Sequence, residues 1–208
     1  MTATEAATAL SRHLDLGCGA NPRNPYRRDE LFGVDIAVQR GDSGAAIRRC
    51  NAALEPLPFA DDDFDSLSAF DFIEHVPRLL PTAGNLATRF PFVELMNECW
   101  RVLKPGGLFY AVTPCYPAPE AFQDPTHVNI ITDKTHLYFC GAQPLGRMYG
   151  FRGGFDAVRI ERVVFRDAVI AGARLSLHQR IRRLNYRLKG QLAHLCWELR
   201  AVKLAGPS

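Results

Sequence analysis

The sequence predicts an α/β fold on a mostly parallel sheet, and three observations carry that expectation. Leu14-Asp15-Leu16-Gly17-Cys18-Gly19 runs an apolar strand end straight into Gly-x-Gly, the arrangement by which α/β proteins bring main-chain N–H groups close to a nucleoside ligand. Short apolar runs alternate with a stretch of helical periodicity, as crossover connections in a parallel sheet require. From Leu177 to Val202, apolar residues recur three and four apart, which predicts a long amphipathic helix after the sheet.

In chain order, Arg12–Leu16 reads as the first buried strand, Phe32–Ile36 as the second and Ile47–Asn51 as the third. Leu54 to Phe59 is a loop, because Pro56 and Pro58 lack backbone donors. Phe64–Phe70 is a fourth strand, and residues 77–91 form a connection broken by Pro77, Pro81, Gly84 and Pro91. Phe92, Val93, Leu95, Met96, Trp100 and Leu103 share one side of a helix. Lys104-Pro105-Gly106-Gly107 ends that helix with a basic last turn, a proline and a glycine. Leu108–Thr113 is a fifth strand, residues 114–131 a proline-rich loop, Thr132–Cys140 a short helix capped by Thr132, and Asp156–Phe165 a last long strand. Only thirteen residues, Ala20 to Phe32, separate the glycine turn from Gly33, and they include Pro22 and Pro25. A long helix does not fit there. Residues 1–170 are therefore read as the sheet domain and 171–208 as a helical tail.

The 208 residues, 47% hydrophobic, suffice for one full α/β core plus an appendage. No run of about 18 apolar residues occurs, and Met1 to Leu10 carries no basic segment ahead of an apolar one. The expected location is cytoplasmic, with contact at a membrane surface open to the tail. Six scattered cysteines form no C-x-x-C pair and read as reduced, buried thiols. Residues 173–208 hold eight Lys/Arg against one Glu, whereas the rest of the chain is mildly acidic. Three roles are open to the tail: docking on its own domain, pairing with a second chain as a homodimer, or peripheral contact with an anionic membrane. Positive charge confined to the tail, with no basic-aromatic platform in the body, argues against nucleic acid.

The strand-to-glycine turn predicts a nucleoside-bearing cofactor. Asp35, ending the second strand, is placed to accept from ribose hydroxyls, and Asn51 after the third to meet an adenine edge. A dinucleotide would call for glycine at position 22, where Pro22 stands. Four ordered segments then point further: Leu14 to Gly19, Leu57 to Asp65, Glu74-His75-Val76 and Arg101 to Gly107. Over residues 12–115 the chain resembles the class I S-adenosylmethionine-dependent methyltransferases, in particular the broad bacterial type 11-like group. The resemblance implies a Rossmann-like sheet of seven mostly parallel strands, with an antiparallel last hairpin and helices on both faces. It implies S-adenosylmethionine as cofactor. Gly17, Cys18 and Gly19 would let the backbone approach its methionine part, and Asp15 would support its amino group. Asp35 would accept from both ribose hydroxyls, Ile36 and Ala52 would sandwich the adenine, Asn51 and Ala52 would meet its edge, and Ala69-Phe70 would pass beside the methionine portion.

Methyl transfer to a hydroxyl needs alignment and removal of a proton. The segment after the fifth strand, Thr113 to Asp133, lies where an acceptor should arrive, and His127 is the candidate base, oriented by Asp124 or Asp133. His75 and Glu74 read first as helix-start residues, although His75 could face the pocket. Tyr110, Tyr116, Phe122 and Tyr138 could wall an apolar acceptor or pack in the core. A metal set from Asp124, His127, His136 and Cys140 matches no firm spacing, so no metal site is assigned. The expected function is O-methylation of a small-molecule or sugar-containing acceptor. Resemblance to bacterial members with the segment Phe122 to Asn129 implies cell-surface polysaccharide or lipid-linked sugar metabolism. Two other readings are an RNA- or protein-directed methyltransferase using the basic tail, and a non-catalytic cofactor-binding scaffold.

Overall fold

The computed structural model describes residues 10–38, 44–83 and 87–203. The strands are β1 (Arg12–Leu16), β2 (Glu30–Asp35), β3 (Ala46–Arg49), β4 (Phe64–Phe70), β5 (Leu80–Pro81), β6 (Thr88–Arg89), β7 (Leu103–Pro114), β8 (Phe155–Val163) and β9 (His194–Ala201). The helices are α1 (Pro91–Val102) and α2 (Leu177–Leu188). Seven strands form one sheet in the order β3-β2-β1-β4-β7-β9-β8. The first five run parallel, and β9 is antiparallel to both neighbours. β5 and β6 make a separate two-stranded hairpin.

Side chains alternate across the sheet, so each strand feeds two layers. Leu14, Leu16, Leu67, Ala69, Phe109, Ala111, Leu195, Trp197 and Leu199 enter the main core. α1 meets them with Phe92, Leu95, Met96, Cys99 and Val102, the three-and-four spacing of a helix buried on one side. Pro91 opens α1, and Gly106 (φ +76) lies just past its end. On the opposite face, Phe70, Tyr110, Val112 and Cys196 pack against Val163 and Ala168, with Tyr26 and Phe165 beside them. No helix spans residues 17–29, as the short, proline-bearing connection predicts. Two irregular segments cover the middle of this face and are tied together where Ala171 N–H donates to Pro25 C=O at 3.1 Å. α2 is tied to the edge of this face through Gln179 and Arg182 to Asp167, and through Arg183 to Glu161 and to Arg162 C=O.

The long C-terminal helix is corrected. α2 stops at Leu188, Gly190 takes φ +66, and Leu192 to Val202 leaves the helical stripe to build β9 between β7 and β8. Leu195, Trp197, Leu199 and Ala201 are buried as alternate residues. Between β7 and β8, burial on both faces and ladders on both edges outweigh the helical pattern of the leucines. What remains of the amphipathic pattern is the exposed row Leu177, Ile181, Leu184 and Leu188 on α2. The expected helix over Thr132–Cys140 is a single tight turn, Thr135–Tyr138, without a side-chain cap. All six cysteines are free. Among the described residues, no helix is long and apolar enough to cross a membrane.

Candidate functional site

β1 and β4 run parallel, but the order in which successive strands are added reverses between them, and this is where an open α/β sheet forms a crevice beyond its carboxyl ends. The glycine turn stands on the β1 side. Gly17 and Gly19 adopt φ +62 and +56, conformations that glycine reaches without strain. A Cβ at Gly17 would lie 2.8 Å from Phe72 Cγ, whereas one at Gly19 would meet nothing within 4 Å. The turn is thus closed from below by the Phe72 ring and open above. Gly19 N–H donates to Asp35 Oδ2 at 2.9 Å, and Ala37 N–H donates to Asp35 Oδ1 at 2.9 Å. Each carboxylate oxygen keeps a lone pair for a further donor, so the end of β2 fits a diol. Ile36 is exposed beside it, and Asn51 and Ala52 follow β3. Cys18 is buried, with its N–H on Val34 C=O, and burial pushes its thiol up to about 12.

Asp15 lies within β1, in a buried polar row. Only 1% exposed, it accepts Ser68 Oγ–H at 2.5 Å and Arg23 N–H at 2.8 Å. It therefore braces the chain after the glycine turn. Burial pushes its carboxyl up to about 7. The same polar row continues through His13, whose ring nitrogens lie 2.8 Å from Ser66 Oγ and 2.8 Å from Ser68 Oγ. Ser68 donates to Asp15, so it accepts from His13 Nε2–H, and His13 Nδ1 accepts from Ser66. The neutral ring is fully paired, and burial together with nearby Arg28 lowers its pKa to about 3. Ala69 and Phe70 point into the two cores, Phe70 beneath the Arg23 guanidinium at 4.8 Å, so only their backbone borders the crevice. Phe72, not singled out from sequence, is the aromatic ring at the glycine turn.

The acceptor side is built on the ends of β4 and β7. Asp71, at φ +48, leaves β4 in a conformation costly for a non-glycine residue; its Oδ1 lies 3.6 Å from His194 Nε2. A short turn, Ile73–His75, follows. Val128 and Asn129 N–H both donate to Glu74 C=O, at 3.0 and 2.9 Å, and Asn129 Nδ2 donates to Ile73 C=O at 2.9 Å. This clamp sets His127 against His75, ring centroids 4.7 Å apart and nearly perpendicular. Asp124 Oδ2 is 3.9 Å from His127 Nε2, too long for a hydrogen bond. Asp124 Oδ1 instead accepts from Thr126 Oγ1 at 2.6 Å, and Thr126 Oγ1 lies 2.9 Å from His75 Nδ1. Glu74 is buried, with Oε2 accepting from Thr113 Oγ1 at 2.8 Å. Burial pushes its carboxyl up to about 7, the negative charges of Asp71 and Asp124 adding to the effect.

Other expected partners lie elsewhere. Asp133 pairs with Arg162 at 2.9 Å. Tyr110 is wholly buried and donates to Ala168 C=O, so it is core. Tyr116 and Phe122 form an exposed ring pair, and Tyr138 pairs with Tyr149. Among the described residues, the histidine and carboxylate set that converges is Glu74, His75 and His127. His136 sits instead against Trp197.

Residues 14–111 match the family described as "Methyltransferase domain". No curated protein matches the chain. Among solved structures, a S-adenosylmethionine-dependent methyltransferase from Mesorhizobium loti aligns with TM-score 0.55 and 16% identity, over 91% of this chain and 90% of that one. A chain of the complex between the Haloferax volcanii Trm112 methyltransferase activator and a putative methyltransferase aligns with TM-score 0.56 and 13% identity, over 95% and 85%. A methyltransferase from Archaeoglobus fulgidus aligns with TM-score 0.52 and 16% identity, over 92% and 86%. At these identities the likeness is one of fold. With the family match, residues 14–111 are a methyltransferase domain, of a family whose methyl donor is S-adenosylmethionine.

Proposed function

We propose that the chain O-methylates a small-molecule or sugar-containing acceptor, as in the making of cell-surface polysaccharide or lipid-linked sugars. One observation supports this most: the glycine turn with Asp35, and the His75–His127 pair, stand at the carboxyl ends of neighbouring strands around one crevice. When bound, S-adenosylmethionine supplies an electrophilic methyl group on a sulfonium. Asp35 holds the ribose hydroxyls, the backbone at Gly17 to Gly19 lies against the methionine part, and Asp15 keeps the following loop in place through Arg23. Ile36, Asn51 and Ala52 frame the adenine. On the acceptor side, the hydroxyl is activated at the imidazole pair, with Asp124 positioning His75 through Thr126. That donor would pass its methyl group to the acceptor oxygen, while His127, the candidate base, would take the hydroxyl proton. The polar, imidazole-lined mouth suits a hydroxyl better than an apolar carbon or a cationic amine.

The test is a screen of sugars, nucleotide sugars and lipid-linked sugars with isotopically labelled donor, read as a mass shift. His127→Ala is expected to lower transfer by about a hundredfold while donor affinity, measured by calorimetry, stays unchanged. Transfer to nitrogen rather than oxygen, or full activity in His127→Ala, refutes the reading.

A further inference from the structure

We propose that Glu74, His75 and His127 hold a divalent cation that receives an acceptor bearing two adjacent oxygens. One ligand atom from each residue lies within 4.8 Å of the other two. Around a tetrahedral ion with bonds near 2 Å, ligands stand roughly 3.3 Å apart, so small side-chain rotations suffice.

Two buried atoms at this point have no hydrogen-bond partner: Glu74 Oε1 and His127 Nδ1. Glu74 is 1% exposed and the His127 side chain 10% exposed. A carboxylate oxygen and a ring nitrogen left unpaired away from water are both costly, and an ion between them removes both penalties. The remaining groups prepare the third ligand. Thr126 has one hydroxyl proton and donates it to Asp124 at 2.6 Å, so it accepts from His75 Nδ1–H at 2.9 Å. The His75 lone pair is thereby placed on Nε2. A carboxylate reached through a hydroxyl behind a histidine is the kind of outer support that fixes the tautomer of a metal-bound imidazole. His127 Nδ1, buried and without a partner, is the nitrogen left for the ion. The backbone clamp from Val128 and Asn129 to Glu74 sets the spacing before any ion arrives.

Two imidazoles and one carboxylate suit zinc and its first-row neighbours and leave positions open. Such positions would be free to take an acceptor, and the acceptor class rests on the methyl-transfer reading. A hydroxyl bound to such an ion loses its proton to water more readily, and a neighbouring oxygen, as in a vicinal diol of a sugar, closes a chelate.

The experiment uses the full chain, stripped with a chelator, and titrates Zn2+ and Co2+ by calorimetry and absorption without donor or acceptor. The expected result is one equivalent of metal and a Co2+ spectrum of low coordination number, with affinity falling at least a hundredfold in His127→Ala and Glu74→Gln. Thr126→Val, an exposed position able to fold normally, should lose about tenfold, while His136→Ala should bind as the parent does. No stoichiometric uptake, or uptake undiminished in both His75→Ala and His127→Ala, overturns the site. Donor affinity measured on the stripped protein separates the two ideas. If donor binds and metal does not, the cation site falls alone; if metal binds and no hydroxyl is methylated, the site stands and the acceptor assignment falls.

Discussion

His13 and Asp15 carry opposed proton linkages that cancel in the parent protein and that a single substitution exposes. His13 titrates near its ordinary 6.5 when unfolded and at about 3 when folded. Its lowered pKa gives stability that is present above 6.5 and lost as pH falls toward 3. Asp15 titrates near 3.8 when unfolded and at about 7 when folded. Its raised pKa gives stability that is present below 3.8 and lost as pH rises toward 7. Between about pH 4 and 6.5 one group adds a proton on unfolding while the other releases one, so their joint slope is near zero. Each alone contributes about 1.4 kcal/mol per pH unit. The assay is urea unfolding of parent, His13→Gln and Asp15→Asn between pH 4.5 and 7.5. Whatever fixed loss each substitution brings, the stability of His13→Gln relative to the parent should rise on acidification, by on the order of 3 kcal/mol from pH 6.5 to 4.5. Asp15→Asn should move the opposite way, gaining on the parent as pH rises toward 7. Other titrating groups are common to all three proteins and drop out of the differences. Difference curves that are flat, or that slope in the same direction, refute the buried neutral ladder of His13, Ser68 and Asp15.

Asp35→Ala removes the acceptor for Gly19 and Ala37 N–H and should weaken S-adenosylmethionine binding by on the order of 1–3 kcal/mol in calorimetry; unchanged affinity denies that residue its role. Gly17→Ala meets both a positive φ and the Phe72 ring, whereas Gly19→Ala meets positive φ alone. The first should cost about 2–4 kcal/mol and the second about 1–2, and equal melting shifts would contradict the packing of Phe72. Deleting residues 191–208 removes β9 from between β7 and β8 and should abolish cooperative unfolding by circular dichroism; a stably folded truncated chain would contradict the sheet order.

The parallel half of the sheet was legible because its signals are local. Leu14 to Gly19, Phe64 to Phe70 and the run from Phe92 to Gly107 each state their own conformation through apolar spacing, proline and glycine. The position of Asp35 beside the glycine turn was legible for the same reason, since it ends an obvious strand. Leu192 to Val202 was misread because Leu192, Leu195, Leu199 and Val202 fit a helical stripe as well as a strand. Only the presence of β7 and β8 on either side, with two ladders to complete, decides between them. The acceptor side was half visible. His127 was marked, but Glu74 and His75 lie 53 and 52 positions earlier, and nothing in their spacing announces that Val128 and Asn129 bind Glu74 C=O.

The order of residues by itself thus determined the glycine turn, the carboxylate that follows it and the helix that closes the main core, because each depends on neighbours within a few positions. The tertiary structure decided which strand enters last, that Asp15 braces the cofactor loop from a buried row with His13, and that Glu74, His75 and His127 meet. Those outcomes depend on burial and on hydrogen bonds between segments far apart in the chain, and both exist only once the sheet has assembled.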